Sequence, residues 1–189
     1  MSDKRLRIIS GSRKGKKLIS VPGLKTRPTS DRIKESIFNI LSPLAPNTIV
    51  LDLFAGTGAM AIEALSRGVE YAVMLDKDKA AVNVIRKNIL ACDFSNRAKV
   101  LSWDVEVNLS CLIRMQKKFN IIFIDPPYNQ NVILPTLGNL VKTNTLAGGA
   151  LLVIEHSTDE SLSPLPDHFL LKDERRYGKT LVSFLNYMI

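Results

Sequence analysis

Apolar residues follow two alternating rhythms along most of this chain. Short continuous runs such as Ile49-Val50-Leu51, Tyr71-Ala72-Val73-Met74-Leu75 and Ile121-Ile122-Phe123-Ile124 alternate with longer stretches where apolar side chains recur every three or four places. The runs predict strands at residues 48–54, 71–76, 99–103, 119–125 and 149–155. The periodic stretches predict helices at 58–67, 79–91, near 105–117 and near 131–141. Gly68 stands where a helix ending at Arg67 takes a left-handed residue. Upstream, residues 30–41 put Ile33, Ile37, Phe38, Ile40 and Leu41 on one helical face, with Ser30 as a cap and Pro43 and Pro46 ending the helix. Downstream the alternation stops. Residues 168–172 and 180–187 read as two strands around a polar turn at 173–179, an antiparallel pair closing the sheet edge. Continuously apolar strands between amphipathic helices specify an α/β fold whose mostly parallel sheet is covered on both faces.

A chain of 189 residues suits one domain, with a modest extension over 1–45 ahead of a core over 46–189. The basic start has no apolar run behind it, so no secretory signal is expected. No stretch approaches the roughly 20 apolar residues of a membrane span. Cys92 and Cys111 lack metal-ligand spacing and are not grouped with His156 or His168. The expectation is a reduced, cytoplasmic setting with inert thiols and no metal site.

Charge changes the picture more. The net charge is +8, but residues 1–34 hold eleven basic side chains against Asp3 and Asp31, a balance of +9, leaving −1 for the rest. A basic segment this concentrated points to a polyanion. Arg7, Arg13, Lys14, Lys16, Lys17, Arg27 and Arg32 are its candidate contacts. A solvated arm would have little use for Ile8-Ile9 or Leu18-Ile19, which with Gly11 and Gly15 suggest a hairpin or short strands.

The candidate chemistry sits where strands end. The run before Asp125-Pro126-Pro127-Tyr128 delivers a carboxylate, rigid backbone carbonyls and a ring to one place. Proline fixes φ and removes a donor, so such a turn presents acceptors. That suits a flat ligand with an exocyclic amine, such as a nucleobase, although the tetrapeptide alone also fits a surface turn. A second site follows Asp52-Leu53-Phe54, in Ala55-Gly56-Thr57-Gly58-Ala59-Met60-Ala61. Glycines there let backbone amides approach a ligand at a helix start. The spacing also fits the dinucleotide pattern G-x-G-x-x-A. Asp52 argues against a pyrophosphate and for a cationic ligand, as S-adenosylmethionine would be. Asp76, twenty residues past Gly56, suits ribose hydroxyls in either case. Asp104 suits an adenine amino group or a helix N-cap before Val105.

Asp52-Leu53-Phe54-Ala55-Gly56-Thr57-Gly58 together with Asp125-Pro126-Pro127-Tyr128 resembles a class I methyltransferase acting on an exocyclic amine. Arg7-Ile8-Ile9-Ser10-Gly11, Lys14-Gly15, Arg27-Pro28-Thr29-Ser30-Asp31-Arg32, Ile62-Glu63-Ala64-Leu65-Ser66-Arg67-Gly68 and Arg176-Tyr177-Gly178-Lys179-Thr180 are similar to the bacterial 16S ribosomal RNA guanine-N2 methyltransferase D family. The resemblance implies a Rossmann-like sheet with an antiparallel C-terminal strand and a basic N-terminal hairpin and helix. It also implies S-adenosylmethionine as methyl donor, bound at Asp52, Phe54, Gly56, Gly58, Asp76 and Asp104, and catalysis at Asp125, Pro126, Pro127 and Tyr128. The substrate it implies is 16S rRNA in the small ribosomal subunit, and the enzyme a cytoplasmic monomer. The Asp-Pro-Pro-Tyr motif is shared with DNA adenine and cytosine methyltransferases, so a DNA substrate stays open. A nicotinamide oxidoreductase and a non-catalytic ribosome-assembly factor are the remaining alternatives. With about 150 residues needed for sheet and helices, only the basic arm is left for recognition, which favours a base already displayed in structured RNA.

Overall fold

The computed structural model describes residues 6–22 and 31–189. Along them run α1 (Asp31–Leu41), β1 (Ile49–Leu53), α2 (Ala59–Ser66), β2 (Tyr71–Asp76), α3 (Lys79–Ala91), β3 (Ala98–Ser102) and α4 (Ser110–Ile113). Then follow β4 (Phe119–Ile124), α5 (Ile133–Thr143), β5 (Leu146–Ser157), β6 (Phe169–Tyr177) and β7 (Thr180–Tyr187). The seven strands form one sheet in the order β3-β2-β1-β4-β5-β7-β6. Pairings from β3 through β5 are parallel, whereas β7 runs antiparallel to both β5 and β6. The sheet is therefore mostly parallel with antiparallel C-terminal strands, as the sequence pattern indicates.

Strand order reverses between β1 and β4. In an open α/β sheet a crevice forms at that point, beyond the carboxyl ends of the strands. Side-chain alternation sends β1 residues to two cores. Val50 joins α1, α2 and α3 on one face, and Leu51 and Leu53 join α4 and α5 on the other. Ile8 and Leu18, from the N-terminal arm, are buried in the first core beside Phe38 and Leu65. The arm is thus part of the packing.

Three local expectations differ from the structure. The helix near 105–117 shrinks to Ser110–Ile113, because Asp104 and Asn108 side chains accept from the backbone of Glu106 and Ser110 and divert the chain into turns. The polar turn expected at 173–179 is strand up to Tyr177; β6 is an edge strand, and an edge can carry Lys172 to Arg176 toward solvent. Along α1 the buried stripe is Lys34, Ile37, Phe38 and Leu41, with Ile40 exposed. Among the described residues of the arm, Arg7 and Lys17 form an antiparallel bridge, and the amides of Ile8 and Leu18 donate to the carbonyls of Lys16 and Leu6. Ser30, and with it the expected cap of α1, lies outside the described residues.

Candidate active site at the carboxyl ends of the strands

Leu53 of β1 pairs with Ile124 of β4, so Phe54 and Asp125 leave the sheet side by side. Phe54 has φ 60°, a left-handed conformation that costs a residue with a side chain of order 1 kcal/mol and clusters at ligand sites. Gly58 continues the turn at φ 76°. A Cβ on it would lie 3.2 Å from both Met74 Sδ and Ile85 Cγ2, so this position admits only glycine without displacing the core. Gly56 differs: a Cβ there would meet nothing nearer than the Phe54 carbonyl at 4.0 Å, and the space above it is open.

Three carboxylates stand at the ends of the adjacent strands β1, β2 and β3. Asp52 is only 4% exposed and its Oδ2 accepts from the Ala61 amide at 3.2 Å. Burial pushes its pKa up to about 7, the Ala61 bond opposes this, and the charge of Asp76 adds to the rise. A buried carboxylate in this condition is relieved by a nearby cation and aggravated by a phosphate. Asp76 Oδ2 accepts from the Gly56 amide at 2.7 Å and Oδ1 from the Asp78 amide at 2.8 Å. The acid is thereby fixed over the glycine turn. Asp104 Oδ1 accepts from the Glu106 amide at 3.0 Å, an Asx-type turn instead of a helix cap. Glu106 in turn pairs with Lys77, which follows Asp76. The open glycine, the amides and the anionic rim fit a ligand carrying a cation and hydroxyl groups.

Asp125 is half-buried and Pro126 buried, while Pro127 and Tyr128 face outward. Asn129 and Asn131 turn the chain back at φ 59° and 54°, values that asparagine tolerates. Tyr128 is 39% exposed, and its hydroxyl donates to Glu155 Oε1 at 3.0 Å and lies 3.1 Å from Thr180 Oγ1. Its ring is therefore held from the far end by β5 and β7. Burial, with the carboxylates of Glu155 and Asp125, raises the phenol pKa, so the hydroxyl stays a proton donor. Sequence reasoning missed Glu155 and Thr180. A carboxylate closing the apolar run of β5 was the available signal.

The basic arm is fastened to the helices that flank the glycine turn. Glu63 of α2, fully buried, accepts from the amides of Ile9 at 2.7 Å and Ser10 at 3.0 Å and from Arg67 Nε at 2.8 Å. Buried Lys34 donates to the Arg7 carbonyl at 2.6 Å and lies 3.9 Å from Glu63. Burial lowers the Lys34 pKa, and Glu63 opposes the shift. Gly11, at φ 82°, runs so close to α2 that a Cβ would sit 1.9 Å from the Ser66 carbonyl oxygen. Further on, Asn88 of α3 accepts from the Ile19 amide at 2.7 Å and donates to the carbonyls of Ile19 and Thr57, both at 3.0 Å. It was also missed, although a polar residue inside the apolar stripe of α3 was a visible sign.

With the backbone so tied, Lys14, Lys16, Lys17 and Arg32 project into solvent. Arg7 is exposed and pairs with Asp31 at 3.2 Å. Arg13 is drawn onto the end of α3: its Nε donates to the Cys92 carbonyl at 2.9 Å, and its guanidinium lies 3.4 Å from Asp93 and over the Phe94 ring. Arg27 lies outside the described residues. The thiols of Cys92 and Cys111 are both pushed up by burial, Cys111 to about 11. No group of metal-ligating side chains occurs among the described residues, and none of the described helices is long and apolar enough to cross a membrane.

Sheet order, reversal point and carboxylate-rimmed glycine turn define a class I S-adenosylmethionine-dependent methyltransferase. The family described as Conserved hypothetical protein 95 matches residues 6–186. Ribosomal RNA small subunit methyltransferase D of Escherichia coli is 34% identical over 176 residues, 92% of this chain and 86% of that protein. Its counterpart in Haemophilus influenzae is 34% identical over 186 residues, 96% and 93% of the two chains. The solved structure of Escherichia coli yhhF, described as a methyltransferase, superposes with a TM-score of 0.83 at 30% identity, covering 97% of this chain and 98% of that one. The chain belongs to the ribosomal RNA small subunit methyltransferase D family.

Proposed function

We propose that this protein transfers a methyl group from S-adenosylmethionine to the exocyclic N2 of a guanine in 16S rRNA, within the small ribosomal subunit or an assembly intermediate. The observation that carries the reading is the adjacency of the cation-seeking Asp52 turn and the acceptor-rich Asp125-Pro126-Pro127-Tyr128 turn, where β1 and β4 end side by side. Asp52, Phe54, Gly56, Gly58, Asp76 and Asp104 hold the cofactor. S-adenosylmethionine supplies an electrophilic methyl group on a sulfonium.

The chain's own residues address the weak nucleophile. The lone pair on guanine N2 is delocalised into the ring. The Asp125 carboxylate and the Pro126 carbonyl accept its N–H groups, and these acceptors stabilise the positive charge that develops as nitrogen attacks. Asp125 or a water then takes the proton that nitrogen releases, while Pro127 keeps the turn rigid. Tyr128, fixed through Glu155 and Thr180, offers its ring to the base, a stack worth about 1–3 kcal/mol. The outward cations of the arm, Arg7, Lys14, Lys16, Lys17 and Arg32, grip phosphates, with Arg13 and Arg27 in the same segment. In this reading residues 1–189 are one methyltransferase domain, 1–45 serving recognition and 46–189 cofactor binding and catalysis. The protein works in the cytoplasm as a monomer.

The test is incubation with tritiated S-adenosylmethionine and undermethylated small subunits, followed by digestion to nucleosides. Label in N2-methylguanosine supports the reading. Label in another nucleoside keeps the enzyme and discards the base, and label taken up only by duplex DNA offered in a parallel incubation moves it to a DNA amino-methyltransferase.

A further inference from the structure

β6 and β7 meet through a two-residue turn, Gly178-Lys179, at the same end of the sheet as the catalytic turn. Its height follows from the register. Ile124, the last residue of β4, pairs with Ile154, and Ile154 pairs with Ser183. Thr180 lies three residues beyond Ser183, opposite Ser157. At roughly 3.3 Å per residue, the hairpin tip begins about 10 Å past the level where β4 ends.

The overhang is braced on three sides. Thr180 Oγ1 lies 3.1 Å from the Tyr128 hydroxyl, the Lys179 carbonyl accepts from the Thr158 amide at 3.0 Å, and the Tyr177 hydroxyl shares a hydrogen bond with Ser36 of α1. The same helix touches the arm through Asp31, the partner of Arg7. So α1 lies between the arm and the hairpin tip, which exposes Arg176 and Lys179.

The hairpin carries acids as well as bases, and its described ion pair joins Arg175 to Asp173, leaving Arg176 and Lys179 out of it. Asp173 is engaged by Arg175 at 2.9 Å, Glu174 accepts from Ser183 Oγ at 2.8 Å, and Glu160, in the segment after β5, accepts from the Ser157 amide at 3.2 Å. Arg176 and Lys179 are exposed, and the Nε of Arg176 donates to an uncharged carbonyl, that of Gly178, at 3.1 Å. We propose that Arg176 and Lys179 form a second contact for the RNA backbone, gripping phosphates of the nucleotides beside the base that reaches Tyr128. This deepens the RNA-methylation reading above and rests on it. Two phosphate grips on either side of α1 fix how the target nucleotide enters, without reading sequence.

The test uses the full chain with Arg176→Glu and Lys179→Glu combined, beside wild type, in methyl transfer to undermethylated small subunits across a salt series. The expected result is a KM for subunits raised about tenfold and a salt slope shallower by about one per cation removed. S-adenosylmethionine affinity by calorimetry stays put, which shows that the fold survives, and Arg176→Lys with Lys179→Arg restores KM. Wild-type KM and slope in the charge-reversed protein would overturn the second contact. Wild type that methylates no RNA would instead overturn the underlying reading, and it is told apart because both proteins then fail together.

Discussion

Asn88 meets Ile19 as a neighbouring strand would, taking its amide and its carbonyl with one side-chain amide. The remaining N–H of that amide goes to Thr57, between the two glycines of the cofactor turn. One buried side chain therefore ties the basic arm and the cofactor turn to the same helix. Asn88→Ala leaves these backbone groups without partners, at a cost of about 1–3 kcal/mol. Amide hydrogen exchange should accelerate at Ile19 and at Gly58, whose amide donates to the Ala55 carbonyl in the turn that holds Thr57, and S-adenosylmethionine affinity should fall. Acceleration confined to one of the two segments would refute the shared anchor.

Asp52 opposes folding near neutral pH. Its carboxyl titrates at about 7 folded against 3.8 unfolded, so its favourable contribution is complete below 3.8 and is lost as pH rises through 7. Asp52→Asn keeps an acceptor for the Ala61 amide and should be more stable than wild type at pH 8 by about 1–3 kcal/mol, a gain that shrinks at acid pH. Thermal melts at both ends of that range check the sign. Calorimetry should show the reverse for function: wild-type affinity for S-adenosylmethionine climbs with pH toward 7, while the variant binds at least about tenfold more weakly and loses that climb.

Asp125→Ala should lower turnover by about 10²–10³-fold, the range for losing one preorganised electrostatic partner. Cofactor affinity should stay near the wild-type value, because Asp125 leaves β4 while the residues proposed to hold the cofactor stand at the ends of β1, β2 and β3. Single-turnover methylation beside calorimetry separates the two. An active Asp125→Ala protein would remove the residue from the chemistry.

The proposed stacking by the Tyr128 ring and the anchoring by its hydroxyl can be tested apart. Tyr128→Ala removes the stack and should weaken RNA binding by about 1–3 kcal/mol. Tyr128→Phe keeps the ring but frees it from Glu155 and Thr180, so a smaller rise in KM is expected. Kinetics of Tyr128→Ala equal to wild type would make the ring a packing group.

Much of this was legible in advance, and the reasons are local. β2 and α3 fall where the apolar runs and periodicity place them, because burial of both sheet faces leaves the pattern little freedom. The carboxylates Asp52, Asp76 and Asp125 were legible because a strand end locates a side chain by itself. Val105, Leu109 and Leu112 show how this fails: their spacing is helical and all three are buried, yet the first two sit in turns stabilised by Asp104 and Asn108. Asn88, Glu155 and Thr180 were hidden for a different reason. Each acts on a residue at least 27 positions away, and no local pattern encodes such a partner. Lys34 stands outside the apolar face that the sequence predicts for α1, yet Glu63 and the Arg7 carbonyl give it a buried place.

Gly11 passing within atomic contact of Ser66, beside the Glu63 clamp, makes the basic arm inseparable from the sheet-and-helix body. Such a segment cannot be traded between enzymes as a cassette, since a foreign arm would have to arrive with matching contacts on α2 and α3. If the arm grips RNA as proposed, drift toward new targets is left to repaint the outward lysines, one side chain at a time, on a backbone fastened to α2 and α3.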